Sequence, residues 1–199
     1  MTNTSTALIT GGTSGIGRAT ANKLAQLGIH VLVVGRDAER GKKTVDELRA
    51  AGGQADFISS DLRDAASARA VAKRAIELGD GHVDILINNA GIYPFGPTHE
   101  MTEEQFDRVF ALNVKAPYFL VAELAPLMAK RGQGAIVNLS TMAAEYGSPG
   151  MSLYGSSKLP QRIPTFWSTP MIRSKPSIAP KSLSRSARYS SAAGESSFK

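Results

Sequence analysis

TALITGGTSGIGRATANKLAQLG, residues 6–28, holds the reading on which the fold turns. Residues 6–10 form a short apolar run of the kind a buried strand needs, and residues 16–28 carry apolar side chains at helical spacing. Between them lies TGGTSGIG, residues 10–17. In the order strand, glycine-rich turn, helix, the glycines have a mechanical role. They permit a tight turn and let the backbone approach a pyrophosphate, whose charge is met by the helix N-terminus. A glycine-rich loop alone is weak evidence, because a flexible turn has the same composition. The strand before it and the helix after it give the motif its weight.

The same alternation continues outward from this unit. IHVLVVG (29–35) is a β-branched run, followed by DAERGKKTVDELRAAGG, a charged amphipathic helix that stops at glycines. QADFISSDL reads as a third strand and DAASARAVAKRAIELGDG as a third helix. HVDILINNAG is a fourth strand, continuous and apolar as burial on both faces demands. TEEQFDRVFALNVKAPYFLVAELAPLMAKRG is one long helical region with a capping box from Thr102 to Gln105, and GAIVNLST is a fifth strand. Strands alternating with helices imply right-handed βαβ crossovers and a parallel sheet covered on both faces. The expected fold class is therefore α/β, a Rossmann-type doubly wound parallel sheet.

Arg36 ends the second strand, where the ribose of a bound adenosine would lie. An acid there accepts from the 2′-hydroxyl of NAD, whereas a guanidinium suits the 2′-phosphate of NADP. Asp37 follows at once and offers the opposite preference. The first side chain points to NADP(H), with NAD(H) as the lesser alternative.

Composition narrows the class. The 199 residues include no cysteine, which removes disulfides and thiolate metal sites and fits a reducing compartment. The start MTNTSTALIT has no basic segment leading into an apolar run, so no signal peptide is expected. No apolar stretch approaches the roughly 20 residues that span a membrane. A cytoplasmic location without membrane partners is expected. The formal net charge of +6 falls wholly on residues 159–199, which hold seven Lys/Arg and one acid, while residues 1–158 balance at zero. That tail lacks aromatic interleaving, so no nucleic-acid partner is expected. His99 has no neighbours at ligand spacing, and no metal site is expected.

Further motifs stand in order along the chain: Asp61-Leu62 after the third strand, Asn88-Asn89-Ala90-Gly91 after the fourth, Asn113 within LNVKAPYF, and Tyr154-x-x-x-Lys158 after the fifth. With Thr10-Gly11-x-x-x-Gly15-x-Gly17, this series resembles the short-chain dehydrogenase/reductase family over residues 6–158. The resemblance implies a hydride transfer between NADP(H) and a small carbonyl or secondary alcohol. It implies cofactor contacts at Gly11, Thr13, Ser14, Gly15, Ile16, Gly17, Arg36, Asp61, Leu62, Asn89, Ala90, Gly91, Tyr154 and Lys158. It implies a catalytic set of Asn113, a hydroxyl, Tyr154 and Lys158, with Asn113 ordering a water linked to the lysine. In such proteins the hydroxyl stands about thirteen positions before the tyrosine, which selects Thr141 and leaves Ser140 as the alternative.

The chemistry is coherent in its own terms. Ketone reduction needs a hydride and a proton, and a phenol of pKa about 10 transfers protons at neutral pH only when a nearby cation lowers it. Lys158 lies four residues beyond Tyr154, on the same face of a helix. Tyr93, Phe95, Met142 and Tyr146, in the stretches 92–101 and 142–151, are candidates to wall a substrate pocket or to serve as simple core or loop packing.

After Lys158 the pattern stops. Residues 159–199 contain ten Ser and five Pro with no sustained apolar period, and Pro160 breaks the helix that carries the catalytic pair. Two domains are expected: an incomplete NADP-binding domain over 1–158 that lacks the last two strands, and a disordered basic tail over 159–199 from a displaced reading frame. The gene sequence around the Lys158 codon tests that origin. An inactive or weakly active truncated member that still binds dinucleotide is thus the alternative reading, and the purified protein is expected to show little or no NADPH oxidation with a panel of ketones. A homo-oligomer built on the long helices is expected of the family, but a shortened last helix argues against one here.

Overall fold

The structure is a computed structural model that describes residues 4–159. The expected tail, its disorder and its frame-shifted origin lie outside the described residues from Pro160 onward.

Five strands, β1 (Thr6–Thr10), β2 (His30–Gly35), β3 (Ala55–Ser59), β4 (Ile85–Asn88) and β5 (Ala135–Asn138), form one sheet in the order β3-β2-β1-β4-β5. Every pairing is parallel, with Thr6 opposite His30, Ala7 opposite Ile85 and Ile85 opposite Ala135. Between the strands run α1 (Gly15–Gln26), α2 (Ala38–Ala50), α3 (Ala65–Leu78), α4 (Glu103–Phe110) and α5 (Ala116–Arg131), and α6 (Ser152–Lys158) follows β5. The expected doubly wound α/β architecture is observed. Among the described residues the outer edge of β5 has no strand beside it.

The two faces of the sheet explain why β1 and β2 read as unbroken apolar runs. Successive side chains of a strand point to opposite faces. Leu8, Leu32 and Val34 pack with residues of α3 and α5, including Val71, Leu120 and Leu124. Ile9, Val31 and Val33 pack on the other face with Ala21 of α1 and Val45 and Leu48 of α2. Both faces being covered, alternation of polar and apolar residues has no place in these strands.

The helix starts follow from local chemistry. Asp37 accepts a hydrogen bond from the Arg40 N–H at the start of α2. Asp64 and Ser67 form a capping box at α3, and Thr102 and Gln105 form the expected one at α4. Such caps stabilise a helix by about 1 kcal/mol each.

The long helical region departs from its sequence reading. It is divided by a π turn over Ala111–Lys115, closed by the Ala116 N–H donating to the Ala111 carbonyl. Pro117 has no N–H for the carbonyl four residues back, that of Asn113, so a regular α-helix could not be completed there. The wider turn carries Asn113, and π turns of this kind recur at functional sites.

The sheet order also fixes where a ligand can lie. Consecutive strands run from β1 outward to β3, and the chain then crosses to β4 on the other side of β1. The loops after β1 and β4 therefore leave the sheet in diverging directions and open a crevice at its C-terminal edge.

Candidate active site

The loop after β1 is tied to the loop after β4 by a close set of hydrogen bonds. Thr10 Oγ1 accepts from the backbone N–H groups of Asn89 (3.1 Å) and Ala90 (3.0 Å). Asn89 Nδ2 donates to the carbonyls of Thr10 (2.9 Å) and Gly11 (3.1 Å). Gly17 sits against this knot, where a Cβ would collide with the Gly11 carbonyl and the Asn89 amide.

Above the knot opens a cleft of about 360 Å³, lined in part by Gly11, Thr13, Ser14, Arg36, Asp61, Leu62, Ala90 and Gly91. Eight of the expected cofactor residues are thus brought together. Gly15, Ile16, Gly17, Asn89, Tyr154 and Lys158 do not line the cleft, although Gly17 and Asn89 shape the loop that does. Ser14, the residue before α1, makes no side-chain cap, and the first turn of α1 contains no acid. Its N–H groups therefore remain available to an anion, unlike those of the capped α2, α3 and α4. A crevice with an uncapped helix N-terminus and guanidiniums at its far end fits a dinucleotide.

Asp61 is paired with Arg108 at 2.6 Å. That hydrogen bond holds the Asp61 carboxyl below its ordinary range against the opposing effect of burial, with Arg63 and Arg36 adding to it. Arg108 and Arg40 also line the cleft, and the sequence reading missed both. Arg108 lies 47 positions from its partner, so no local spacing pointed to it. Arg40 lies one helical turn beyond Asp37, a spacing that could have found it.

The second half of the site joins the cleft at Gly91. A Cβ there would stand 3.2 Å from Lys158 Nζ and 3.3 Å from Asn113 Oδ1. Asn113 is fully buried and uses both ends of its amide: Oδ1 accepts from the Ile92 N–H at 3.0 Å, and Nδ2 donates to the Ile92 carbonyl and Ser157 Oγ at 2.9 Å each. Ser157 Oγ donates in turn to the Tyr154 carbonyl at 2.7 Å. Ser157, absent from the sequence reading, therefore links Asn113 to the helix of the tyrosine. Its place three residues after Tyr154 was the available signal.

Lys158 Nζ lies 6.0 Å from the centroid of the Tyr154 ring and donates to the Leu139 carbonyl at 3.1 Å. Its side chain is buried, and that burial pulls its pKa from 10.5 to about 8. An unfolded chain keeps this proton to near 10.5, so between pH 8 and 10 it binds more protons than the folded chain. Stability is thus expected to rise across that window, the burial penalty standing in full below pH 8. Urea midpoints at pH 7.5, 9 and 10 measure this; Lys158→Met is expected to flatten the rise, and an unchanged slope would rule out Lys158 as its source.

The two candidate hydroxyls differ in their bonding. Ser140 Oγ donates to the Lys158 carbonyl at 3.4 Å. Thr141 Oγ1 accepts from the Ala143 N–H at 3.3 Å, which caps a short 3-10 turn and leaves its own proton uncommitted in that bond. On the substrate side, the Tyr93 ring stands 5.8 Å from that of Tyr154. Tyr93, Phe95, Met142 and Tyr146 are 63–73% exposed, so none is core packing.

A family model described as short chain dehydrogenase matches residues 5–161. The chain belongs to the short-chain dehydrogenase/reductase family. An uncharacterised oxidoreductase of Thermotoga maritima is 42% identical over 151 residues, which cover 76% of this chain and 59% of that protein. The chain thus spans under two thirds of that relative's length. A metagenomic short-chain oxidoreductase in complex with NADP superposes with a TM-score of 0.75 at 36% identity, covering 78% of this chain and 70% of the other. A short-chain dehydrogenase/reductase from Burkholderia phymatum in complex with NAD gives 0.75 at 35%, covering 79% and 56%. A nicotinamide dinucleotide is thus the cofactor class of this fold, and neighbours bind either form. Among the described residues of this family member, no helix is long and apolar enough to cross a membrane.

Proposed function

We propose that this short-chain dehydrogenase/reductase transfers a hydride between NADP(H) and a carbonyl or secondary alcohol. The observation that carries the proposal is the buried Lys158 ammonium beneath the Tyr154 ring, one glycine away from the dinucleotide cleft. The cofactor, when bound, supplies the hydride. Lys158 Nζ, 6.0 Å from the centroid of the Tyr154 ring, places a positive charge beside the proton donor. Tyr154 delivers the proton to the substrate oxygen, and the Thr141 hydroxyl donates to that oxygen as charge develops on it. Asn113 acts as a positioning residue, holding the 91–92 backbone and α6 in fixed relation.

NADP over NAD rests on Arg36 at the adenosine end of the cleft. The exposed Tyr93, Phe95, Met142 and Tyr146 supply apolar surface for a substrate body. A site assembled through Lys158 favours turnover over the inactive reading. The test is NADPH oxidation by the purified chain against a panel of aliphatic and aryl ketones. Saturable, ketone-dependent oxidation with a higher kcat/KM for NADPH than for NADH is expected, and NADPH binding without turnover on any ketone would overturn it.

A further inference from the structure

The charged groups at the adenosine end of the cleft are unequally engaged. Arg108 bonds Asp61. Arg40 Nη2 lies 3.1 Å from Asp37 Oδ2, and the Arg40 N–H donates to Asp37 Oδ1 at 2.9 Å. One residue thus occupies both oxygens of Asp37. Arg36, immediately before it and exposed in the cleft, makes no ion pair among the described residues. The one carboxylate adjoining Arg36 in the chain is therefore drawn toward α2, while the guanidinium stays open to a ligand.

We propose that Arg40 is a positioning residue that sets the preference for a 2′-phosphorylated dinucleotide by holding and neutralising Asp37 beside Arg36. A carboxylate in that place accepts from ribose hydroxyls and repels a phosphate. With its charge offset by Arg40, the repulsion falls and Asp37 no longer competes with the phosphate for Arg36. The inference rests on the NADP reading above, yet it assigns the preference to a residue outside the expected set.

The test measures binding of 2′,5′-ADP and 5′-AMP, which differ only in the 2′-phosphate, to the full chain by isothermal titration calorimetry. The wild type is expected to bind 2′,5′-ADP more tightly. Arg40→Ala keeps the backbone N–H that caps α2 and removes the side chain beyond Cβ, guanidinium included; circular dichroism checks that the fold is retained. It is expected to weaken 2′,5′-ADP about fivefold, the upper range for an exposed charge pair, and to leave 5′-AMP unchanged or tighter. In an Asp37→Asn background, which preserves the cap, Arg40→Ala is expected to change 2′,5′-ADP binding by less than about twofold. An undiminished loss in that background overturns the inference, since Arg40 would then contact the phosphate itself. Equal losses for both ligands overturn it as well, because the role would be structural. A wild type that binds the two ligands equally, or neither, overturns the NADP reading instead and is visible before any variant is compared.

Discussion

Tyr154→Phe is expected to lower kcat for ketone reduction by about 10³-fold, in the middle of the range for loss of a general acid–base group. The substitution removes one oxygen. The ring remains, with its contact to Tyr93 and its place above Lys158. Tyr154 does not line the cleft of about 360 Å³, so affinity for the adenosine part of the cofactor is expected to stay within about twofold. Loss of kcat with retained binding separates a proton-transfer role from a structural one. The loss should not be recovered at high pH, because phenylalanine has no proton to give. Paired measurements of NADPH fluorescence titration and steady-state kinetics check both halves. A variant that loses binding and turnover together would place Tyr154 in the scaffold instead.

Gly17→Ala is expected to weaken dinucleotide binding by at least about tenfold and to lower stability by about 1–3 kcal/mol. The added methyl would meet the Gly11 carbonyl and the Asn89 amide, two partners already hydrogen-bonded to each other. Relief requires either group to move, which breaks the tie between the loops after β1 and β4. The cleft wall formed by Gly11 and Ala90 moves with it. Gly15→Ala makes a useful contrast. No atom lies within 4 Å of a Cβ there, so only its φ of +52° opposes the change. A smaller loss, about 1 kcal/mol from the left-handed backbone, is expected. Urea unfolding and NADPH titration of both variants measure the difference, and equal effects would remove the collision as the cause.

Much of this was legible in the chain because the relevant patterns are local. The unbroken runs at 6–10 and 29–35 required burial on both faces, and the helices on either side supply it. Of the residues singled out by the ordered motifs, Gly11, Asp61 and Gly91 line one cleft, and Lys158 Nζ lies 6.0 Å from the Tyr154 ring centroid. What stayed hidden depended on distance through space or on a break in period. The π turn over Ala111–Lys115 follows from one missing N–H at Pro117, which apolar spacing does not register. The Asp61–Arg108 pair joins residues with no sequence relation. Asn113 was expected to order a water; its hydrogen bonds to Ile92 and Ser157 became visible only in the packed structure. Arg36 and Asp37 pointed in opposite directions as a sequence pair. The ion pair from Arg40 to Asp37 is visible only in the folded structure.

The proposed reaction moves a hydride from NADPH to a carbonyl carbon while Tyr154 supplies the proton. The most direct measurement follows deuterium from NADPH carrying deuterium at both C4 positions of the nicotinamide into the product alcohol by mass spectrometry. One deuterium on the carbinol carbon per NADP⁺ formed, and none with Tyr154→Phe over the same time, is the predicted result. Product without deuterium, or no product from a chain that binds the labelled cofactor, would contradict it.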